Sequence, residues 1–347
     1  MSINIDIIRR LSEAFGPSGY EDDVREILIE ELSKADVQYE IDSVGNLIAK
    51  KFYAENKPTV ILDAHIDEVG LLIMHIDDNG FLRFEPLGGI DDRVLPSQSV
   101  VIKGTKGFVY GIIGAKPPHL LEREEMERVL PYKSLFIDIG VSSREEAAKI
   151  GVEEGSPATF NTPFIRQGNS ILGKAFDDRL GVYVVLEVLK SSYDIPVNII
   201  GVFSTQEEFG LRGAQVASFK LKADYALALE CTAAADTPGT PPHEMSTRLR
   251  KGPAITIADR ASISSPTLVR MLIDIAKNNG IPYQFKGRKV GGTDACMYRY
   301  SPLGIHAATV SIPARYIHSS LAVADISDIE NTLKLVMRFL EHISGTR

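Results

Sequence analysis

Two rhythms of apolar residues run along this chain, and they change place twice. From Ile3 to Phe15 the apolar positions recur at helical spacing and stop at Gly16-Pro17-Ser18-Gly19. Glu21 to Ser33 predicts a second helix, with acidic residues crowding the first turn, where the helix dipole favours them. Val37 to Phe52 reads as two strands joined by Val44-Gly45-Asn46. Thr59 to Ala64 is the near-continuous apolar strand of a sheet buried on both faces. After Asp67 the rhythm becomes that of short strands between turns: LLIMHI, the turn Asp78-Asn79-Gly80, FLRFEPL, SVVIKG and GFVYGIIG. This predicts a small barrel or sandwich with one short helix, LEREEMERVL, closed by the proline-bearing SPATFNTPF. From Asp178 helices and strands alternate again: LGVYVVLEVLK, VNIIGVFS, LRGAQVASF, YALALE, PTLVRMLIDIAKNNG and the last helix ISDIENTLKLVMRFLEHI. The fold class expected is α/β, with residues 1–67 and 164–347 forming one domain and 68–163 a smaller β-barrel-like domain inserted into it.

Candidate chemistry sits just after the apolar runs. His65 and Asp67 follow TVILDA, Glu207 and Glu208 follow VNIIGVFSTQ, Glu230 closes YALALE, and His318 follows ATVSIPARYI; Asp177 and Asp178 lie in GKAFDDRLG. In an open α/β sheet, strand ends share a crevice where ligands bind, so these distant residues can converge. Two imidazoles and several carboxylates at one point suggest a metal site. A single catalytic zinc needs three protein ligands. His65, Asp177, Glu208, Glu230 and His318 supply five, which divide into two sets of three if one carboxylate bridges. Glu207 is left over and suits a general base. Asp67, two residues from His65 on an extended strand, can accept the second ring N–H and fix the tautomer.

Each residue also has a bland reading. Asp178 can cap the following helix while Asp177 ligates. Glu207 and Glu208 can be solvated acids, and His318 a loop histidine, whereas Glu230 is expensive to bury without a partner. Gly291-Gly292-Thr293-Asp294 reads either as a tight turn with Asp294 as a cap or as pocket lining. His75, His119, His243, His306 and His342 lack a second ligand at useful spacing.

With FGPSGYE, DSVGNLIA, DAHIDEVG, KPPHL, DIG, AFDDR, QEEFGLRGA, GGTDA and IPARYIHS in order, the chain resembles the M42 family of dinuclear-metal aminopeptidases almost end to end. The resemblance implies a mixed central sheet with helices on both faces and a cis peptide bond between Asp177 and Asp178. It implies Asp177 as the bridging ligand, one metal on His65, Asp177 and Glu230, a second on Asp177, Glu208 and His318, and Glu207 as the base. Zinc or cobalt are the expected ions, with manganese a further option. It further implies peptide substrates and a homo-oligomer, a dodecameric shell built from dimers. Relatives labelled endoglucanase raise a second reading, a glycoside hydrolase using the same carboxylates. That chemistry needs no metal but usually aromatic platforms, and the chain has 0 Trp. A third reading, a non-catalytic metal-binding scaffold, would predict loss of the base, yet Glu207 is present.

Composition changes the picture little. With 44% hydrophobic and 24% charged residues the chain is globular, and its 347 residues favour two domains. A net charge of −8 excludes the basic footprint of a nucleic-acid binder. Cys231 and Cys296 make no disulfide framework. The amphipathic start is no signal peptide and no apolar run spans a bilayer, so a cytoplasmic location and no membrane partner are expected.

Overall fold

Asn4 opens the first helix by accepting the amide protons of Asp6 and Ile7, and α1 (Ile5–Glu13) buries Ile7, Ile8 and Leu11. The computed structural model describes residues 3–345 apart from 121, 124–126, 193 and 288–290. α2 (Asp22–Lys34) carries Asp22 and Asp23 in its first turn. The hairpin of β1 (Gln38–Ile41) and β2 (Leu47–Lys51) leads into β3 (Thr59–His65), which is buried along almost its whole length.

Just after β3 the chain leaves the sheet. β4 (Gly70–Ile76), β5 (Leu82–Leu87), β6 (Ser99–Gly104), β7 (Gly107–Gly114), β8 (Phe136–Asp138) and β9 (Pro157–Phe160) close into a barrel. Its core takes alternate residues such as Leu71 and Ile73, Leu82 and Phe84, Val100 and Ile102. The helix expected at LEREEMERVL falls partly on residues 121 and 124–126, outside the described residues. A helix that periodicity did not reveal, α3 (Arg144–Lys149), lies in the same unit. Its signal is the Ser-x-x-Glu start of a capping box: Ser143 accepts the Glu146 amide proton at 3.2 Å, and the Glu146 carboxylate reaches back to the amide of Ser142, one residue before the cap, at 2.8 Å.

The returning chain builds the rest of the large sheet. β10 (Ile165–Gln167) and β11 (Ser170–Gly173) form one edge, and α4 (Phe176–Lys190) leads to β12 (Asn198–Ser204). Then come α5 (Arg212–Lys220), β13 (Tyr225–Ala233), β14 (Ala254–Thr256), α6 (Pro266–Asn278), β15 (Gln284–Phe285), α7 (Ala295–Arg299), β16 (His306–Arg315), β17 (Ala322–Asp325) and α8 (Ile326–Ser344). The strand order is β1-β2-β12-β3-β13-β16-β17-β11-β10, with β14 and β15 off this path. The four central strands, β12, β3, β13 and β16, run parallel, and their outer neighbours are antiparallel. Successive residues of β3 face opposite sides of the sheet. Val60 and Leu62 pack with α1, α2, α4, α6 and α8, whereas Ile61 packs with α5 and α7. The sheet is thus mixed, with helices on both faces.

Where the barrel leaves the sheet, buried charges join the two. Lys174 donates to both oxygens of Glu68, at 2.6 and 2.9 Å, and Arg179 lies 3.6 Å away. Glu68 also accepts from Thr159 of β9 at 2.9 Å and from the Gly16 amide at 3.2 Å. All three charged side chains are at most 3% exposed. Removing one member of such a network strands its partners in a dry site. Glu68→Ala is therefore expected to destabilise the fold by about 3–5 kcal/mol. A urea titration checks this: the midpoint should fall with little change of slope, and an unchanged midpoint would deny the junction its role.

Candidate active site at the strand ends

The parallel order of the central strands turns four strand ends toward one crevice. β3 ends at His65, β12 runs into the loop carrying Glu207 and Glu208, and β16 runs into the turn carrying His318. Glu230 lies within β13 and not at its end, because the strand continues to Ala233. Asp177 enters from the start of α4, where Asp177 and Asp178 have non-helical backbone angles and the peptide bond between them is cis. The regular part of α4 begins after them, and Asp178 Oδ1 accepts the Gly181 amide proton at 3.1 Å, so Asp178 does cap the helix.

His65 Nε2 lies 3.4 Å from Asp177 Oδ1, 3.7 Å from Glu230 Oε2 and 3.9 Å from Glu207 Oε2. His318 Nε2 lies 3.3 Å from Asp177 Oδ2 and 3.4 Å from Glu208 Oε1. Asp177 thus turns one oxygen toward each histidine. Three triads have donor atoms within 4.8 Å of one another: His65, Asp177 and Glu230; Asp177, Glu208 and His318; and His65, Glu207 and Glu208. Two ligand atoms about 2.0–2.1 Å from a tetrahedral ion stand about 3.3–3.4 Å apart. The imidazole–carboxylate spacings on Asp177 match that figure, and the nitrogen and oxygen donors are those that zinc and its neighbours take.

The electrostatics of the cluster are lopsided. Among its described members only the histidines can carry positive charge, against the carboxylates of Asp177, Glu207, Glu208 and Glu230. Burial pushes Glu207 and Glu230 well above the ordinary carboxylate range and Glu208 up to about 7, although the histidines oppose it. Burial also acts on Asp177, but the two histidines hold it below its usual value. For His65, burial disfavours the proton, and Glu207, Asp177 and Asp67 overcome it. His318 is carried up to about 10 against burial, mainly by Glu208 and Asp177. Asp178 Oδ2, buried beside them, has no hydrogen-bond partner among the described residues. This excess of buried negative charge fits cations, which would also require both imidazoles to be neutral.

The residues around the cluster hold it in place. His65 Nδ1 faces the Asp67 backbone carbonyl at 3.2 Å and its carboxylate at 3.3 Å, so the second ring N–H has two acceptors on one residue. Asp67 does more than the sequence led us to expect: its two oxygens also accept the amide protons of Glu207 at 2.9 Å and Glu208 at 3.1 Å, and Ser18 donates to it. His318 Nδ1 meets the Gly89 carbonyl at 2.7 Å, from the segment between β5 and β6. A Cβ on Gly88, whose φ is +84°, would sit 3.2 Å from Glu208 Cβ. Asp294 is neither a side-chain cap nor pocket lining. Its carboxylate is buried against Ser204 at 2.7 Å, Ser204 reaches Asp63 at 2.9 Å, and the Asp294 amide faces Glu230 at 3.4 Å.

Gly291, Gly292 and Thr293 line the adjoining cavity of about 450 Å³, together with Leu211, Lys286 and the cluster itself. His75, His119, His243, His306 and His342 lie outside the three triads. Cys231 lines the cavity with its thiol donating to the Phe176 carbonyl at 2.9 Å; Cys296 is buried elsewhere. Neither pairs in a disulfide. Sequence reasoning gave no role in the site to Ser18, Glu21, Asp63, Glu68 and Ser204, although the first four lie inside the motifs FGPSGYE and DAHIDEVG.

The chain is similar to known aminopeptidases over nearly its whole length. The chain is 32% identical to a lysyl aminopeptidase of Pyrococcus furiosus, covering 98% of each sequence. It is also 32% identical to a glutamyl aminopeptidase of Lactococcus lactis, over 93% of this chain and 92% of the other. Its fold superimposes on a TET aminopeptidase of a marine-sediment Thaumarchaeota archaeon with a TM-score of 0.94 at 36% identity, covering 97% of this chain and 95% of that one. A Pyrococcus horikoshii TET peptidase described as assembling into a tetrahedron or an octahedral shell gives 0.86 at 36% identity, over 96% and 98%. A Thermotoga maritima protein described as an endoglucanase gives 0.79 at 33% identity, over 97% and 99%. Residues 45–335 match the family described as M42 glutamyl aminopeptidase, and the chain belongs to that family.

Proposed function

We propose that this chain is a dinuclear metal-dependent aminopeptidase that removes N-terminal residues from peptides. The observation that carries the reading is Asp177, whose two oxygens face two different histidines at 3.4 and 3.3 Å. His65, Asp177 and Glu230 would hold one ion, and Asp177, Glu208 and His318 the other. Zinc or cobalt suit these donors best, with manganese next. Ions held there would polarise the carbonyl of the first peptide bond and acidify a water molecule.

The chain's own residues do the rest. Glu207 takes the proton of the attacking water and returns it to the leaving amine as the C–N bond breaks. Its carboxylate lines the cavity 3.9 Å from His65 Nε2, beside the proposed ligands, which suits a group that must exchange a proton with water held there. Asp67 and Gly89 orient the two imidazoles through Nδ1, leaving Nε2 of each directed into the cluster.

The glycoside-hydrolase alternative has less support. The carboxylates that would flank a sugar face histidine nitrogens, and the chain has no tryptophan to stack on a sugar ring. We assign residues 1–67 and 164–347 to catalysis, and 68–163 to assembly and to covering the site. The outward residues of β7, Phe108, Tyr110 and Ile112, form an apolar stripe on the barrel and support a contact between copies. Together with the shell-forming relative, they favour a dodecamer built from dimers. Among the described residues no helix is long and apolar enough to cross a membrane.

Glu207→Gln should keep fold and metal content and lose about 10²–10⁴-fold in turnover of aminoacyl substrates. Parent-rate hydrolysis would remove it as the base. Asp67→Ala should lower metal affinity or activity by about 10–100-fold, read by metal titration alongside kinetics. Elemental analysis should find two divalent ions per chain, and chelation should abolish peptidase activity until metal is restored. Cellulose hydrolysis that survives chelation would favour the alternative. Light scattering should give the mass of about twelve 38.1 kDa subunits; a monomer mass at micromolar concentration would sink the shell.

A further inference from the structure

The loop after β12 presents three consecutive backbone amides, of Gln206, Glu207 and Glu208, to acceptors supplied by the chain itself. A run of such N–H groups makes an anion-binding concavity. Asp67 takes the Glu207 and Glu208 protons at 2.9 and 3.1 Å. The Gln206 proton goes to Glu21 Oε1 at 3.2 Å, and the same oxygen accepts from the Gly19 amide at 2.7 Å. Gln206 has φ of +54°, a left-handed conformation uncommon for residues with a side chain, and it directly precedes the base. The loop is closed on its other side by Gly210 and Leu211, whose amides both donate to the Glu207 carbonyl at 2.9 Å. The direction of the Glu207 side chain is therefore set by how the amides at 206–208 are held.

Glu21 belongs to FGPSGYE, a segment for which the catalytic reading has no use. It is 4% exposed. Ser18 of the same segment donates to Asp67, so one short stretch of the N-terminus touches both carboxylates that hold the loop. Burial raises Glu21 to about 6, against the pull of the Gly19 and Gln206 amides. A carboxyl whose folded pKa is raised adds stability at low pH, and that contribution is lost as pH rises through about 6. At neutral pH the fold thus keeps a buried carboxylate at the expense of stability, in contact with backbone amides of the base-bearing loop.

We propose that Glu21 is a positioning residue for Glu207: by holding the Gln206 amide it fixes the left-handed turn from which the base enters the cavity. The proposal rests on the aminopeptidase reading above and adds a residue to it.

The test uses full-length, metal-loaded protein with an aminoacyl nitroanilide substrate. Glu21→Ala should lower kcat by about 10–100-fold, the size of effect that a misplacement of about 1 Å can have. KM and metal content should stay within about twofold of the parent. Glu21→Gln, whose amide oxygen can still accept both protons, should restore most of the rate. Hydrogen exchange should show faster exchange over residues 205–211 in Glu21→Ala and parent-like protection in the rest of the chain. If Glu21→Ala does not fold, Glu21→Asp takes its place, keeping the charge but losing one methylene of reach, with the same expectation. A parent-level kcat, a loss traced to departed metal, or unchanged exchange in the loop would overturn the proposal. A Glu21→Gln variant as impaired as Glu21→Ala would overturn it too. Glu207→Gln run in parallel separates the two ideas. If that variant hydrolyses at the parent rate, the base assignment fails whatever Glu21 does, and the exchange data report on the loop independently of activity.

Discussion

Mutual repulsion among buried carboxylates is the constraint on which the rest of this structure depends. Asp177, Glu207, Glu208 and Glu230 share one crevice with two histidines, and Asp67, Asp178, Asp63 and Asp294 lie in the layer behind them. In a medium of low dielectric such a set cannot stay ionised unless each charge meets a donor or a cation. The inner layer meets the imidazoles. The outer layer is met only in part. Asp67 takes two amides and Ser18, whereas Asp178 takes the Gly181 amide but keeps one oxygen without a partner among the described residues, and Asp63 and Asp294 share the single Ser204 hydroxyl. Burial accordingly raises the proton affinity of Asp63, Asp178 and Asp294. The inner carboxylates keep oxygens turned toward the histidines, and those are the atoms a cation would join.

This division of labour explains why the inserted barrel is tied so firmly to the sheet. Glu68 follows Asp67 directly, and Arg179 follows Asp178, so the buried ion network at the junction lies one residue away from the outer layer of the site. The barrel also reaches inward from the other side, since Gly89 holds the His318 ring and Gly88 packs against Glu208. A shift of the barrel relative to the sheet would move the His318 side of the cluster before the His65 side. His65 is anchored from its own strand through Asp67, whereas His318 sits in a turn at φ of +59° and depends on a carbonyl from the barrel segment.

Much of this was legible in the sequence, for a physical reason. Parallel strands buried on both faces must be almost wholly apolar, so a polar residue at or near the end of TVILDAH, VNIIGVFS, YALALE or ATVSIPAR stands out as one that the fold would otherwise exclude. That logic found His65, Asp67, Glu207, Glu208, Glu230 and His318 without any contact information. It misjudged the extent of β13, because the charged Glu230 and the polar Thr232 break the apolar run, so Glu230 looked terminal when it lies inside the strand. It missed α3 because a helix of six residues has too few turns to show a period, although its Ser-x-x-Glu start was there to read.

The outer layer was not legible, and the cause lies in how its residues are selected. Glu21, Ser18, Asp63, Ser204 and Asp294 are chosen by where backbone amides and neighbouring carboxylates fall in space, and that depends on the packing of segments far apart in sequence: 185 residues separate Glu21 from Gln206. A ligand's residue type is fixed by the ion it serves, so it leaves a pattern. A supporting residue needs only an acceptor or donor of the right reach, so although Ser18, Glu21, Asp63 and Asp294 lie inside quoted motifs, nothing in those motifs says which amide or carboxylate each will meet. Asp294 illustrates the point: GGTDA has the look of a turn with a helix cap, yet its carboxylate faces away from the helix amides and toward Ser204 and the sheet. In this fold, the residues that converge on the crevice can be read from strand ends, whereas the residues that hydrogen-bond to them emerge only once the loops have closed over the crevice.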